Sequence, residues 1–340
     1  MEKSVVQAST DWDGTPHWEK EPEVAQKYIT YIDPAVQSMA KELLSGVAAQ
    51  RITPHGVSFW TRTGRIVAVQ EGGSRVFFFL KLSIGDDGKG MMHGEYESMK
   101  ALHETLPDLV PQPIAWGTYE TDPDIHFFIC TFCDMKEGLC SLDEFPKLVV
   151  ALHEKGVSPT GKLGFPVTTY QGLLPQDPTW CDTWEECFSR NIDIYFEHEL
   201  RAQGPDEEIA ELRDTIMTRE GNAGTDRATN VPKIFDACSW YAHNEFEMAP
   251  WSPARQKMDK TYVDAYLKHF PKAEPEEDFD GRNALYALRF NLCSSGLYPG
   301  NLNYRNVVRM DMRELVDRYP ESFEEWQKRQ TIPSLTRAKM

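Results

Sequence analysis

No run in the 340 residues approaches the ~20 consecutive apolar side chains that a membrane-spanning helix needs. Positive charge is also in short supply: 36 Lys and Arg face 53 Asp and Glu, a formal net charge of -17. So acidic a surface repels nucleic-acid phosphates and anionic lipid headgroups, which removes nucleic acid and membrane from the expected partners. The same imbalance leaves room for a polyphosphate held at one local positive site beside a divalent cation. Cysteine is sparse, and its number, seven, is odd. In a chain this long that is not a disulfide framework. Cys130-x-x-Cys133 has the shape of half a zinc site, but no second pair stands at ligand spacing. Both thiols close an apolar run through Phe127, Phe128 and Ile129, so structural cysteines are expected. The first residues carry acids early and lack the apolar segment of a secretion signal. A reduced, cytoplasmic, monomeric protein is the expectation.

What is present is ordinary globular material, 41% hydrophobic and 26% charged, with length for about two domains. Residues 1–50 read as an N-terminal arm and helix. Asp33 can cap the free amides there, and Pro34 suits the first turn. Residues 51–132 read as a small β-rich lobe. Strands are expected over 57–69 and 76–82 around a Gly72-Gly73 turn, and again over 115–119 and 126–132, in a sheet of about five. Between them a Gly-rich polar loop over 85–94 leads to a helix in which Glu95 heads an apolar stripe with Met99 and Leu102. Residues 133–330 read as mainly helical, with helices expected over 184–200, 207–217, 260–269 and 282–297, and 331–340 as a frayed tail.

Three polar residues stand out. Lys81 shares a strand face with Phe77 and Phe79, where a buried charge needs a partner. On this pattern alone a strand-end lysine reaching solvent is the more economical reading. Glu95 suits the dipole of its helix as a first-turn acid. Together, a core-directed Lys and Glu in a strand–helix unit suggest the ion pair that positions ATP phosphates in kinases. Further on, Asn222 precedes a polar turn and Asp236 follows it. A neutral and an anionic oxygen on one hairpin are what holds ATP-bound magnesium, although the pair alone is common.

The runs 76–82 and Gly94-Glu95, then 162–169, Pro175-Gln176, 180–184 and above all 234–247 (Ile-Phe-Asp-Ala-Cys-Ser-Trp-Tyr-Ala-His-Asn-Glu-Phe-Glu) resemble the fructosamine kinase family. The resemblance spans about residues 50 to 320 and is nearest to fungal-type members, which share His55-Gly56-Val57-Ser58-Phe59-Trp60. It implies an α+β, two-lobed, protein-kinase-like fold similar to aminoglycoside phosphotransferases and choline kinases. It also implies ATP and Mg²⁺, with γ-phosphate transfer to the sugar 3-hydroxyl of ribulosamine or fructosamine adducts on protein lysines or small sugar-amines. By motif position Lys81 would hold the α- and β-phosphates and Glu95 would pair with it. Thr131, Phe132 and Cys133 would meet adenine, and Asn222 and Asp236 would bind magnesium. Lys81, Asn222 and Asp236 are thus the expected catalytic residues, with His243, Glu245 and Glu247 as supports.

One segment departs from the family. Its members carry His-Gly-Asp-Leu-Trp-x-Gly-Asn, in which the Asp is the general base. Here Gly221-Asn222 follow Thr215-Ile216-Met217-Thr218-Arg219, so Met217 stands at the Asp position, as if by deletion. Methionine accepts no proton, and losing such a base costs a factor of about 10² to 10⁴. Asp214 and Glu220 are nearby carboxylates at the wrong spacing. Three readings follow: a ketosamine-type kinase with a damaged loop, a nucleotide-binding pseudokinase or scaffold, and a kinase of some other small hydroxylated molecule.

Overall fold

β-Branched and aromatic residues at period two build a five-stranded antiparallel sheet early in the chain. Its strands are β1 (Ala48–Pro54), β2 (Arg62–Val69), β3 (Arg75–Ile84), β4 (Pro113–Thr118) and β5 (Ile125–Thr131), in the order β1-β2-β3-β5-β4. The computed structural model describes residues 22–43, 46–136, 138–213, 222–226, 232–251 and 258–319. Asp214, Met217 and Glu220 lie outside those residues, as do the stretches 1–21 and 320–340.

The alternation along β3 sorts its side chains onto two faces. Phe78, Leu80 and Leu82 point to a core completed by Val36 of α1 (Pro34–Leu43) and by Phe127 and Ile129 of β5. Phe79 and Lys81 point the other way, towards α2 (Gly85–Thr105) and the large lobe. Asp33 ties α1 to the sheet. It accepts the Ala35 amide at 2.9 Å, as expected of a cap, and also the amides of Glu120 and Thr121 just beyond β4.

Two expectations need correction here. The 57–69 strand is shorter, because β1, which the sequence reading missed, begins at Ala48 and residues 55–61 are the connection from β1 to β2. The Gly-rich stretch 85–94 is not a loop but the first half of α2. Its glycines serve close approach. A Cβ on Gly94 would stand 2.6 Å from the Thr168 carbonyl oxygen, and one on Gly90 would run into the Tyr170 ring. Each glycine costs a helix about 1 kcal/mol relative to alanine; the tight seat of α2 on the large lobe offsets that cost.

The large lobe is helical: α3 (Glu144–Lys155), α4 (Trp184–Gln203), α5 (Glu207–Arg213), α6 (Lys260–Leu267), α7 (Phe279–Leu297) and α8 (Leu302–Arg318). Thr183 caps α4 by accepting the Glu186 amide. Leu288 and Leu292 of α7 are buried against Ile192, Tyr195, Val308 and Met312, while Leu285 is only partly covered. Arg305 and Glu199 form a buried pair between α8 and α4. Two short antiparallel sheets face the cleft: β6 (Met135–Lys136) with β9 (Asn222–Asp226) and β10 (Pro232–Phe235), and the hairpin β7 (Tyr170–Gln171) with β8 (Leu174–Pro175). All seven cysteines are free thiols.

Candidate active site

Lys81 is the centre of the cleft between the lobes. Its ammonium lies 2.7 and 2.8 Å from the two Glu95 oxygens and 2.5 Å from Asp236 Oδ1. The solvent-facing reading of Lys81 is therefore overturned: its side chain is 7% exposed, and that of Glu95 12%. β3 supplies the lysine, α2 supplies the glutamate one residue past its close approach to Thr168 at Gly94, and the turn after β10 supplies the aspartate. Asp236 differs from the others. Its side chain is 49% exposed, and its backbone sits at φ 53°, a left-handed conformation that Asp tolerates better than most residues. One cation thus faces two carboxylates. Burial works against the Lys81 charge, but Asp236 and Glu95 outweigh it and raise its pKa. Burial, with the nearby Asp236 charge added, lifts the Glu95 carboxyl to about 7 against the pull of Lys81.

The β9–β10 hairpin places Asn222 opposite Phe235, next to Asp236 in register. The backbone therefore delivers both expected magnesium residues to one end of the hairpin. Glu245, expected as a support, is fully buried and bonded to Arg282 at 2.6 Å and to the Ala273 amide at 2.7 Å. His243 touches the Tyr286 hydroxyl at 3.1 Å, and burial lowers its pKa.

A cavity of about 560 Å³ opens over this cluster, and Lys81, Glu95, Thr131, Phe132, Cys133 and Asp236 all line it. At one end, the Thr131 and Phe132 amides already donate to the Gln112 and Phe77 carbonyls. Those two amides are therefore already paired within the sheet and its edge. The connection 55–61 roofs the cavity. His55 packs edge-on against Phe132 with centroids 4.8 Å apart, while at the other end Trp60 lies over Tyr298. Thr61 donates to Ser58 Oγ from both its amide and its hydroxyl, which fixes the bend. The sequence reading missed this roof because a Val-Ser-Phe-Trp run at that point mimics a strand; the signal was Pro54-His55-Gly56 just ahead of it. A smaller hollow of about 180 Å³ lies behind the Asp236 turn, lined by His153, Trp240, His243 and Glu247 among others.

A five-stranded sheet with a lysine–glutamate pair, a cleft and a helical lobe carrying the late aspartate define a phosphotransferase of the protein-kinase-like class. The fructosamine kinase family model matches residues 61–318, and the chain belongs to that family. A rice chloroplastic protein-ribulosamine 3-kinase is 26% identical over 246 residues, covering 64% of this chain and 68% of the relative. Among solved structures, a candidate fructosamine-3-kinase of Haemophilus somnus superposes with TM-score 0.66 at 14% identity, over 85% of this chain and 99% of the other. The aminoglycoside phosphotransferase APH(4)-Ia, as a thermostable mutant, gives TM-score 0.51 at 13% identity, over 84% of this chain and 100% of the other. No helix among the described residues is long and apolar enough to cross a membrane.

Proposed function

We propose that this cleft binds Mg-ATP and that the chain is, by lineage, a kinase for the sugar 3-hydroxyl of ribulosamine or fructosamine adducts on protein lysines. The observation that carries the reading is the convergence of Lys81, Glu95 and Asp236 on one cavity between two lobes. An ammonium has three donors. Two are committed to Glu95, which fixes the side chain, and the third rests on the exposed Asp236, where a phosphate oxygen can replace it. Asp236 and Asn222 would hold a magnesium ion, as one anionic and one neutral oxygen donor that the strand register brings to one end of the hairpin. The metal would neutralise charge on the transferred group. The acceptor oxygen gains the γ-phosphoryl group, ADP leaves, and the hydroxyl proton must go to a base.

That base is the weak point. Met217 stands where the family carries its aspartate, which favours a second reading: a protein that binds nucleotide without turning it over. Release of ADP in the presence of a glycated lysine peptide separates the two. Thermal stabilisation by Mg-ATP with no ADP formed supports the pseudokinase; turnover on free amino sugars but not on glycated peptides supports a small-molecule kinase. Reading the genomic interval between the codons of Met217 and Arg219 for a His-Gly-Asp-Leu-Trp segment shows whether the loop exists in another form of the chain.

A further inference from the structure

Trp60, at the end of the connection 55–61 away from His55 and Phe132, is one of the residues lining the cleft. Trp60 reaches from the roof to the large lobe and stacks on Tyr298 at the end of α7, with centroids 6.0 Å apart and planes 29° from parallel. Gly172, in the turn of the β7–β8 hairpin, makes this contact possible: at φ 59° a Cβ there would stand 3.1 Å from Trp60 Nε1. Tyr298 is itself held, because its carbonyl and that of Ser295 both accept from Gln203 Nε2, and its ring stacks on Tyr304 at 5.2 Å. Trp60 lines the cavity, so its indole is a wall, backed from outside by two further rings.

A ketosamine differs from an ordinary ketose in its secondary amine, protonated at neutral pH, next to the sugar. Among the described residues lining the cavity, the only carboxylates are Glu95 and Asp236, and both are held against Lys81. Trp60 therefore presents a pre-positioned aromatic face to a cation, the geometry that attracts an ammonium through the ring quadrupole. We propose that Trp60, braced by Tyr298, is a specificity-determining residue that recognises the ammonium of the acceptor by a cation–π contact and so selects amine-linked sugars over neutral ones. This rests on the function proposed above.

The test is calorimetric binding of 1-butylamino-1-deoxyfructose and of its neutral ether, 1-O-butylfructose, with magnesium and a non-hydrolysable ATP analogue present. Wild type is expected to prefer the amine by at least tenfold. Trp60→Ala should abolish the preference by weakening the amine alone, and Trp60→Phe, which keeps a ring, should retain most of it. Tyr298→Leu should lose part of it. A preference that survives in Trp60→Ala, or equal losses for amine and ether, overturns the inference while leaving the kinase reading intact. Wild type that binds the ATP analogue but neither sugar overturns the acceptor assignment itself, and this inference with it.

Discussion

Lys81–Glu95–Asp236 and Arg305–Glu199 are both cation–carboxylate sites in the interior, yet they are built in opposite ways. Arg305 meets Glu199 in a fork, at 2.7 and 2.9 Å, and gives a further bond to the Gln203 carbonyl at 3.1 Å. Glu199 takes another hydrogen bond from Ser295 Oγ. Both side chains are at most 4% exposed, and the site joins α4 to α8 away from the cleft. At Lys81 one cation serves two carboxylates, one of them half exposed in a cavity. The saturated site holds helices together; the other carries surplus negative charge, which the proposed function assigns to a ligand that brings a cation with it.

Breaking each site should separate these roles. Arg305→Met leaves Glu199 buried without its partner and should cost about 3–5 kcal/mol of stability, measured by denaturant titration, with nucleotide affinity per folded molecule unchanged. Lys81→Met should weaken Mg-ATP binding at least tenfold, or about 1.4 kcal/mol. It should cost no more than about 1.5 kcal/mol of stability, because Glu95 is already poised to take up a proton and stay neutral. A loss as large as that of Arg305→Met would erase the contrast.

The hollow behind the Asp236 turn sharpens it further. Burial, with the His243 charge added, pulls His153 down to about 4, and its Nδ1 lies 2.8 Å from the Tyr266 hydroxyl. The unfolded chain protonates this histidine near pH 6.5 and the folded one only near 4. Its contribution is therefore full above 6.5 and lost as pH falls towards 4, on the order of 3 kcal/mol. Stability of His153→Asn, followed from pH 7.5 to 4.5, should fall less steeply than that of wild type. The smallest effect belongs to Asp236→Asn without ligand, which should leave stability within about 0.5 kcal/mol of wild type or raise it, since it removes the half-exposed second carboxylate from a site with one ammonium. Thermal melts in magnesium-free buffer check this.

Much of this was legible in the sequence, and the misses have physical causes. Period-two alternation gave the face of Lys81, and the strand–helix unit suggested Glu95 as its partner, found at 2.7 Å; Asp236 escaped that local reading because it lies 155 residues away. The Gly-rich start of α2 reads as a loop to any local rule; only its seat on Thr168 and Tyr170 makes it a helix. The exposed face of α8 dilutes its signal, since among its buried positions Arg305 joins Val308, Met312 and Leu315. The motif 234–247 carried the aspartate, the buried Glu245 and His243 together, which is why a resemblance brought Asp236 to Lys81 where strand pattern alone left the lysine at the surface.

The most direct test of the shared site is calorimetry of a non-hydrolysable ATP analogue, with and without magnesium, in wild type and Asp236→Asn. Wild type should bind at least tenfold tighter with magnesium, and the variant should show no magnesium dependence while keeping its fold. Equal affinities in the two proteins, with magnesium dependence intact, would contradict the assignment of Asp236 and Lys81 to one nucleotide site.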